Sequence, residues 1–403
     1  MRNAGWTNRS SPSGAKSNSQ VNLSFRVITD FHSIDQEDWD RLSHADNPFL
    51  SYAFLSGLEA SGSVGTHVGW QPHHLAVYQG DALVALAPSY IKTNSHGEFV
   101  FDWAWADAYH RHGLLYYPKL LTAVPYSPVT GPRLLTLQGH AEQKELRQSL
   151  IRFAMDECDR AGFSSWHCNF VSGDDQPALS NSQLLSRSDW QFHWRNRNYS
   201  SFDDFLGQLR SRKRKNIRRE RQAVNAAGIQ FNWKTGCEID PVDSAFIHSC
   251  YTSTFDAYGN HPVLNEPFFA GLARELVDRF LVCIASRDGE RLAMSLFLCG
   301  GGRLYGRYWG CIREIPGLHF EAAYYQGIEY CIANGIKVFE SGAQGEHKVS
   351  RGFMPEKTRS YHYIRNEAFR DAIGTFLSRE TDWLEDYRAQ LLQHDPHRQE
   401  EAG

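Results

Sequence analysis

Between Glu340 and Phe353 the chain carries a carboxylate, an amide, a second carboxylate, an imidazole, an ammonium and a guanidinium, at Glu340, Gln344, Glu346, His347, Lys348 and Arg351. Core packing does not require that mixture. Gly342, Gly345 and Gly352 are interleaved with these groups, and glycines in a polar loop allow the backbone to come close to a ligand. The chain contains no GxSxG elbow, HExxH, Walker loop or GxGxxG, so the familiar covalent, zinc and mononucleotide signatures are missing. His167 and Cys168 are adjacent, but on a predicted strand neighbouring side chains point to opposite faces, which argues against a Cys–His dyad. What is left is direct transfer, in which a site orients two substrates and moves a proton, with no metal centre expected.

The elements that would hold this loop can be read upstream of it. Leu304, Gly306 and Tyr308 alternate with Tyr305, Arg307 and Trp309, a strand pattern. After Pro316 and Gly317 the period changes: Phe320, Tyr324, Ile328 and Cys331 recur at helical spacing, which predicts an amphipathic helix over 319–334 with Gly335 at its C-cap. A short buried strand over 336–339 then runs into the loop. Open α/β sheets place ligands at the carboxyl ends of their strands, as this order would.

The same order occurs earlier. Strands are expected over 74–78 and 82–92 as a hairpin and over the aromatic, alternating 99–105, then a helix over 141–160, a Gly162 cap and a strand over 165–171. Strands over 280–286 and 292–299, the strand at 304–310, the helix and the strand 336–340 repeat it, so the chain reads as an internal duplication. Residues 1–22, rich in Ser, Asn and Gly, read as a disordered tail. Residues 23–195 form a first domain, 196–228 a linker, 229–392 a second domain and 393–403 a frayed end. Each domain is expected to own a mixed sheet flanked by helices. The linker carries a run of basic residues from Arg210 to Arg221, including Lys213, Arg214, Lys215 and Arg218. As a helix it is a phosphate-seeking surface on a chain whose overall net charge, the run included, is −4. The eight cysteines show no metal spacing and suggest a reducing, cytoplasmic setting. No apolar run reaches the roughly 18–20 residues that span a bilayer.

Several segments are identifiable. They include Asn47 to Phe49, Gly69 to Pro72, Tyr116 to Lys119, Pro128 to Arg133, Tyr305 to Gly310, Leu318 to Glu321 and Gly342 to Phe353. With the basic run followed by Gly228 and Ile229, they resemble a bacterial family of Fem-like N-acyltransferases within the GNAT superfamily. Fem proteins are the aminoacyl-tRNA-dependent ligases of peptidoglycan cross-bridges. The resemblance implies an α/β (α+β) fold of two tandem GNAT-like domains. The implied reaction is acyl transfer to the amine of a small molecule or peptide, with aminoacyl-tRNA or acyl-CoA as donor co-substrate and no covalently bound cofactor. The acyl-CoA pyrophosphate loop of GNAT proteins is absent, since Cys311 to Gly317 holds one glycine before the helix, and this favours tRNA. The alternatives are an acyl-CoA enzyme and a non-catalytic binding module. For the transfer, Glu321, Glu346 and His347 are candidate bases and Arg307 a candidate anion holder; Glu321 is otherwise expected to pair with Arg307. Lys348, Arg351, Gln344, Gly345, His319 and the basic run fall on the donor side. Asp102, Trp103, Trp105, Tyr117, Lys119 and Arg133 are expected to line the acceptor side of the same cleft.

Overall fold

The structure, a computed structural model, describes residues 23–173, 175–257, 259–342 and 345–398. The expected tail 1–22 and the last five residues lie outside the described residues. In chain order the first half forms β1 (Leu23–Ile28), β2 (Trp70–Pro72), β3 (His74–Gln79), β4 (Ala82–Ala87), β5 (Ser89–Lys92), β6 (Lys119–Thr122), β7 (Leu135–Thr136), β8 (Ser165–Cys168) and β9 (Leu185–Arg195). The second half forms β10 (Gln230–Thr235), β11 (Phe280–Arg287), β12 (Glu290–Gly300), β13 (Arg303–Cys311), β14 (Val338–Glu340) and β15 (Met354–Ile364).

A four-stranded sheet has the order β1-β3-β4-β7, and an eleven-stranded sheet the order β10-β11-β12-β13-β14-β9-β15-β8-β6-β5-β2. The architecture is mixed α/β with helices on the sheets, as expected. The expectation of one closed sheet per half is corrected: a single sheet runs through both. The halves exchange their last strands. β9, which ends the first half, pairs antiparallel with β14, and β15, from the second, pairs antiparallel with β8. β9 and β15 pair with each other over nine residues at the centre. The repeated order survives this exchange. In each half a strand, a helix and a strand form a unit with a parallel pairing, β6 with β8 around the helix Gln143–Ala161, and β13 with β14 around a helix over 318–333.

The first hairpin is longer than its two labelled arms. Trp70 pairs with Lys92, Pro72 with Tyr90 and Leu75 with Ala87, one unbroken register that passes from the large sheet into the small one. Pro88 sits at the crossing, where a residue without an N–H is tolerated because ladder pairing is changing partners. The segment 99–105, read as a strand, is instead the entry turn and first residues of a helix, Trp103–Arg111. Trp105 and Tyr109, four apart, are its buried face, while Phe101 and Trp103 are exposed. The end of the chain is also tied down further than expected. The Arg210 N–H donates to Pro396 O at 2.8 Å, and Leu209 bridges to His397.

Candidate functional site

The parallel strands β13 and β14 are paired only over Arg303–Tyr305 and Val338–Glu340. Beyond that point β13 stays on β12, and the chain after Glu340 leaves the sheet as the polar loop, so the sheet opens. The register of β12 against β13 slips at the opening: Leu296 faces Tyr308 while Phe297 faces Gly306, which leaves Arg307 as the extra residue of a bulge. A bulge bends its strand and re-aims the side chain it carries. Arg307 donates from Nη2 to Tyr126 O at 2.8 Å, and its guanidinium lies 5.6 Å from the Phe49 ring centre. Its buried Nε has no hydrogen-bond partner among the described residues.

The helix 318–333 walls one side of the opening. Its Gly327 packs on Phe339 of β14, where a Cβ would come within 2.5 Å of the ring. On this face lies a cavity of about 160 Å³ bordered by Ser295, Arg307, Trp309, His319, Tyr324 and Ser341. Glu340 points to the opposite face from Phe339, because successive strand side chains alternate. There a smaller space is bordered by Pro128, Gln191, Tyr305, Glu340 and Gly342. Gly306 and Arg307 border both spaces, one on each face of the sheet at the bulge.

The loop brings Lys348 to this place. Lys348 is 3% exposed and donates from Nζ to Ser341 O at 2.7 Å and Gly342 O at 3.1 Å. Burial, then the nearby charge of Arg307, pushes its pKa down to about 7. His319 lies among the rings of Trp309, Phe320 and Tyr324, and burial, with the fields of His347, Lys348 and Arg351, pushes it down to about 4, so it is neutral at pH 7. His347 lies against Tyr324, with Nε2 and Oη 3.2 Å apart, and burial ahead of Arg351 and Lys348 lowers its pKa as well. Gly345, with φ of 116°, turns the loop directly over the His347 ring. Gln344 lies outside the described residues.

The remaining charged groups of the loop and helix have other partners. Glu321 does not meet Arg307. It is 3% exposed and accepts from Arg221 Nη2 at 3.0 Å and from Gln326 Nε2 at 2.9 Å. It opens a π-helical stretch, Glu321–Tyr325, inside the 318–333 helix; such stretches recur at functional sites. Arg351 is held by Glu220, with Nη2–Oε distances of 2.9 and 3.1 Å, and by Tyr325 Oη at 2.9 Å, and lies 3.5 Å over the Phe320 ring. Glu346 is exposed and accepts from Tyr387 Oη at 2.8 Å. These placements correct the expected grouping: Glu321 and Arg351 lock the helix and loop together, Glu346 is at the rim, and Arg307, His319, His347 and Lys348 remain at the cleft.

The basic run is a helix, Ser211–Ala226, that buries Ile217 and Val224 and turns Glu220 and Arg221 onto the cleft helix and loop. Arg218 pairs with Asp203 at 2.9 Å. Among the described residues Lys213, Arg214 and Lys215 have no ion-pair partner.

The residues expected on the acceptor side lie elsewhere. β15 begins next to the loop, but its far end, Tyr363, pairs with Trp166 of β8, which pairs with Leu120 of β6. Nine residues of strand at about 3.3 Å each put Lys119 and Asp102 about 30 Å from the loop. Lys119 donates to Asp102 and, at 2.8 Å, to Glu98, and Tyr116 Oη donates to Asp102 at 2.5 Å. Burial pushes the Asp102 carboxyl up, but Lys119, His167 and the hydrogen bonds from Lys119 and Ser95 outweigh it and hold it below the usual carboxylate range. Tyr117 is bonded to Ser95, Trp105 packs against His362, and Trp103 is exposed. This is a buried polar network in the first half, separate from the cleft. Arg133 is fully buried and donates to the carbonyls of Asn169 at 2.9 Å, Pro132 at 3.0 Å and Val129 at 2.5 Å. It closes the first half's counterpart of the β13–β14 opening, where Gly131 bridges to Val171 beyond β8. First-half residues that do reach the cleft include Phe49 and Pro128, which the sequence offered only as parts of longer segments, and Tyr126, which it did not single out. Ser295 and Gln191 carried no signal, since a single polar residue on a strand says nothing of what it faces.

Among known proteins, residues 30–399 match the family described as FemAB-like, peptidoglycan biosynthesis/recognition. Comparison with curated proteins gives no sequence match. The C-terminal domain of a protein named as a lysylphosphatidylglycerol synthetase from Agrobacterium fabrum aligns over 85% of this chain and 96% of its own, at 8% identity and a TM-score of 0.51. FemX aligns over 87% of this chain and 100% of its own, at 11% identity and a TM-score of 0.50. A tandem GNAT protein from clavulanic acid biosynthesis aligns over 86% and 99%, at 9% identity and a TM-score of 0.45. At these identities the likeness to the first two is one of fold. No helix among the described residues is long and apolar enough to cross a membrane.

Proposed function

The chain belongs to the FemAB-like family of peptidoglycan biosynthesis/recognition, and from that premise we propose that it is an N-acyltransferase working in the cleft between β13 and β14, with aminoacyl-tRNA as donor. The observation that carries the reading is the opening of the sheet at the Arg307 bulge, with a cavity on one face, a smaller space on the other and Lys348 beside it. The donor enters from the face of the 318–333 helix and the amine from the face of Pro128 and Gln191. The amine nitrogen attacks the acyl carbonyl carbon, an amide forms, and the ester oxygen of the donor leaves and takes up a proton. Arg307 holds the negative charge that builds on the carbonyl oxygen. Lys348, with about half of it neutral at pH 7, takes the proton from the amine.

The basic helix supports a tRNA donor, because Glu220 and Arg221 dock it beside the cleft and Lys213, Arg214 and Lys215 remain for phosphates. Such a donor belongs to the cytoplasm. An acyl-CoA is the second reading, favoured by the N-terminus of the 318–333 helix at the cavity, since helix N-termini hold phosphate. The test measures tRNA binding at two salt concentrations, for the parent and for Lys213, Arg214, Lys215 and Arg218 changed together to Ala. Binding should weaken steeply with salt, and less steeply in the variant. Absence of tRNA binding, with acyl-CoA protecting the protein from unfolding, sinks the tRNA assignment.

A further inference from the structure

The cavity on the helix face has a polar group that no described residue satisfies. Ser295 lies on β12 opposite Trp309, is 2% exposed, and its hydroxyl has no hydrogen-bond partner among the described residues. Buried hydroxyls are nearly always bonded, and an unbonded one at a cavity wall asks for a partner from outside the chain. We propose that this cavity receives the transferred acyl group, and that Ser295 selects one that is small and carries an uncharged hydroxyl or amide, against hydrocarbon and basic groups. The inference rests on the acyltransferase reading and names the class of acyl group.

Three observations set the class. The first is size: a cavity of about 150 Å³ holds a benzene-sized molecule, about six heavy atoms, so about 160 Å³ suits a small amino-acyl group and not a long fatty chain. The second is lining. Phe297, Trp309 and Tyr324 give an aromatic wall, and Ser295 and His319 give neutral polar contacts at one side of it. The third is charge. Arg307 borders the cavity, Lys348 and Arg351 lie close enough to lower His319, and no carboxylate among the described residues lines it. Glu340 faces the other side of the sheet with Arg303, and Glu321 is taken by Arg221. A basic acyl side chain would enter a positive field with no counter-charge.

The test uses binding, so that it does not depend on finding the acceptor. Dissociation constants of the N-acetyl methyl esters of serine, alanine, leucine and lysine are measured by ligand-observed NMR with the full chain and with Ser295→Ala. One hydrogen bond predicts that the wild type binds the serine ester about 5-fold more tightly than the alanine ester, with lysine weakest. Ser295→Ala should lose the serine preference and keep its affinity for the alanine ester within about 2-fold. Equal binding of serine and alanine by the wild type, a preference that persists in Ser295→Ala, tightest binding of lysine or leucine, or no binding of any ester overturns the inference. The acyltransferase reading fails separately, if no donor of any class yields an acylated amine while ester selectivity is intact.

Discussion

Lys348→Met tests whether the lysine at the cleft is the group that moves the proton. Its pKa falls from 10.5 to about 7, chiefly through burial and then through Arg307. The unfolded chain therefore holds a proton that the folded chain does not, between about pH 7 and 10.5. The sign follows from this difference: stability rises with pH through that window and is flat below it. At about 1.4 kcal/mol per unit, the charged lysine costs the fold roughly 4 kcal/mol at pH 7, where it is half deprotonated, and roughly 2 kcal/mol at pH 9. Methionine fills nearly the same space and does not titrate. It leaves the Ser341 and Gly342 carbonyls without a donor, but that loss is independent of pH. Urea unfolding of both proteins at pH 6, 7, 8 and 9 isolates the effect, because every other titration cancels in the difference. The advantage of the methionine variant over the parent should shrink by roughly 2 kcal/mol between pH 7 and 9 and by less than about 0.5 kcal/mol between pH 6 and 7. A difference that stays flat from pH 7 to 9 means that Lys348 is an ordinary ammonium in the fold, and the assignment of the base falls with it.

Two further outcomes are expected. Arg307→Lys keeps a charge but loses the planar fork and the reach of the bulge, so kcat/KM should fall about 100-fold while the melting temperature moves by only about a degree or two; unchanged turnover would leave Arg307 only its bond to the Tyr126 carbonyl. Arg133→Met strips donors from three buried carbonyls, which should cost about 3 kcal/mol in denaturant unfolding with KM for both substrates unchanged; a raised KM at unchanged stability would restore Arg133 to substrate binding.

The part of the site built from local pattern was legible in the sequence. The alternation from Leu304 to Trp309, the helical spacing from Phe320 to Cys331 and the cap at Gly335 correspond to β13, the 318–333 helix and the turn into β14. What the pattern could not carry was pairing at long range. Nothing local to Leu185–Arg195 says that it will lie between β14 and β15, because strand order is set by which edges meet and not by the strand's own residues. The partners of Glu321 were missed for the same reason. An acid one strand and a turn from Arg307 looks paired to it, but the basic helix brings Arg221 in from 100 residues away. The segment from Phe99 to Trp105 shows the opposite failure. Its aromatic alternation is real, but Trp105 and Tyr109 keep a helical interval that the two-residue rhythm of the preceding turn conceals.

The duplicated order implies two equivalent openings in the sheet, and the structure leaves one. Where β13 parts from β14 the gap is bordered by Arg307 and a loop that delivers Lys348. Where β6 runs beside β8 the corresponding space is closed by Gly131, bridged to Val171, and by Arg133, whose donors are spent on backbone carbonyls. The same residue type thus serves opposite ends. A guanidinium with every neighbour a carbonyl acts as packing, while one with an unbonded Nε beside a cavity can act on a ligand. The closed half is not idle. Its loop presents Tyr126 and Pro128 to the open cleft, and the Tyr126 carbonyl holds Arg307 in place. One half therefore contributes the opening and the other the wall that shapes it, which is why the exchanged strands β9 and β15 matter: they fix the two halves in one sheet at the distance the cleft needs.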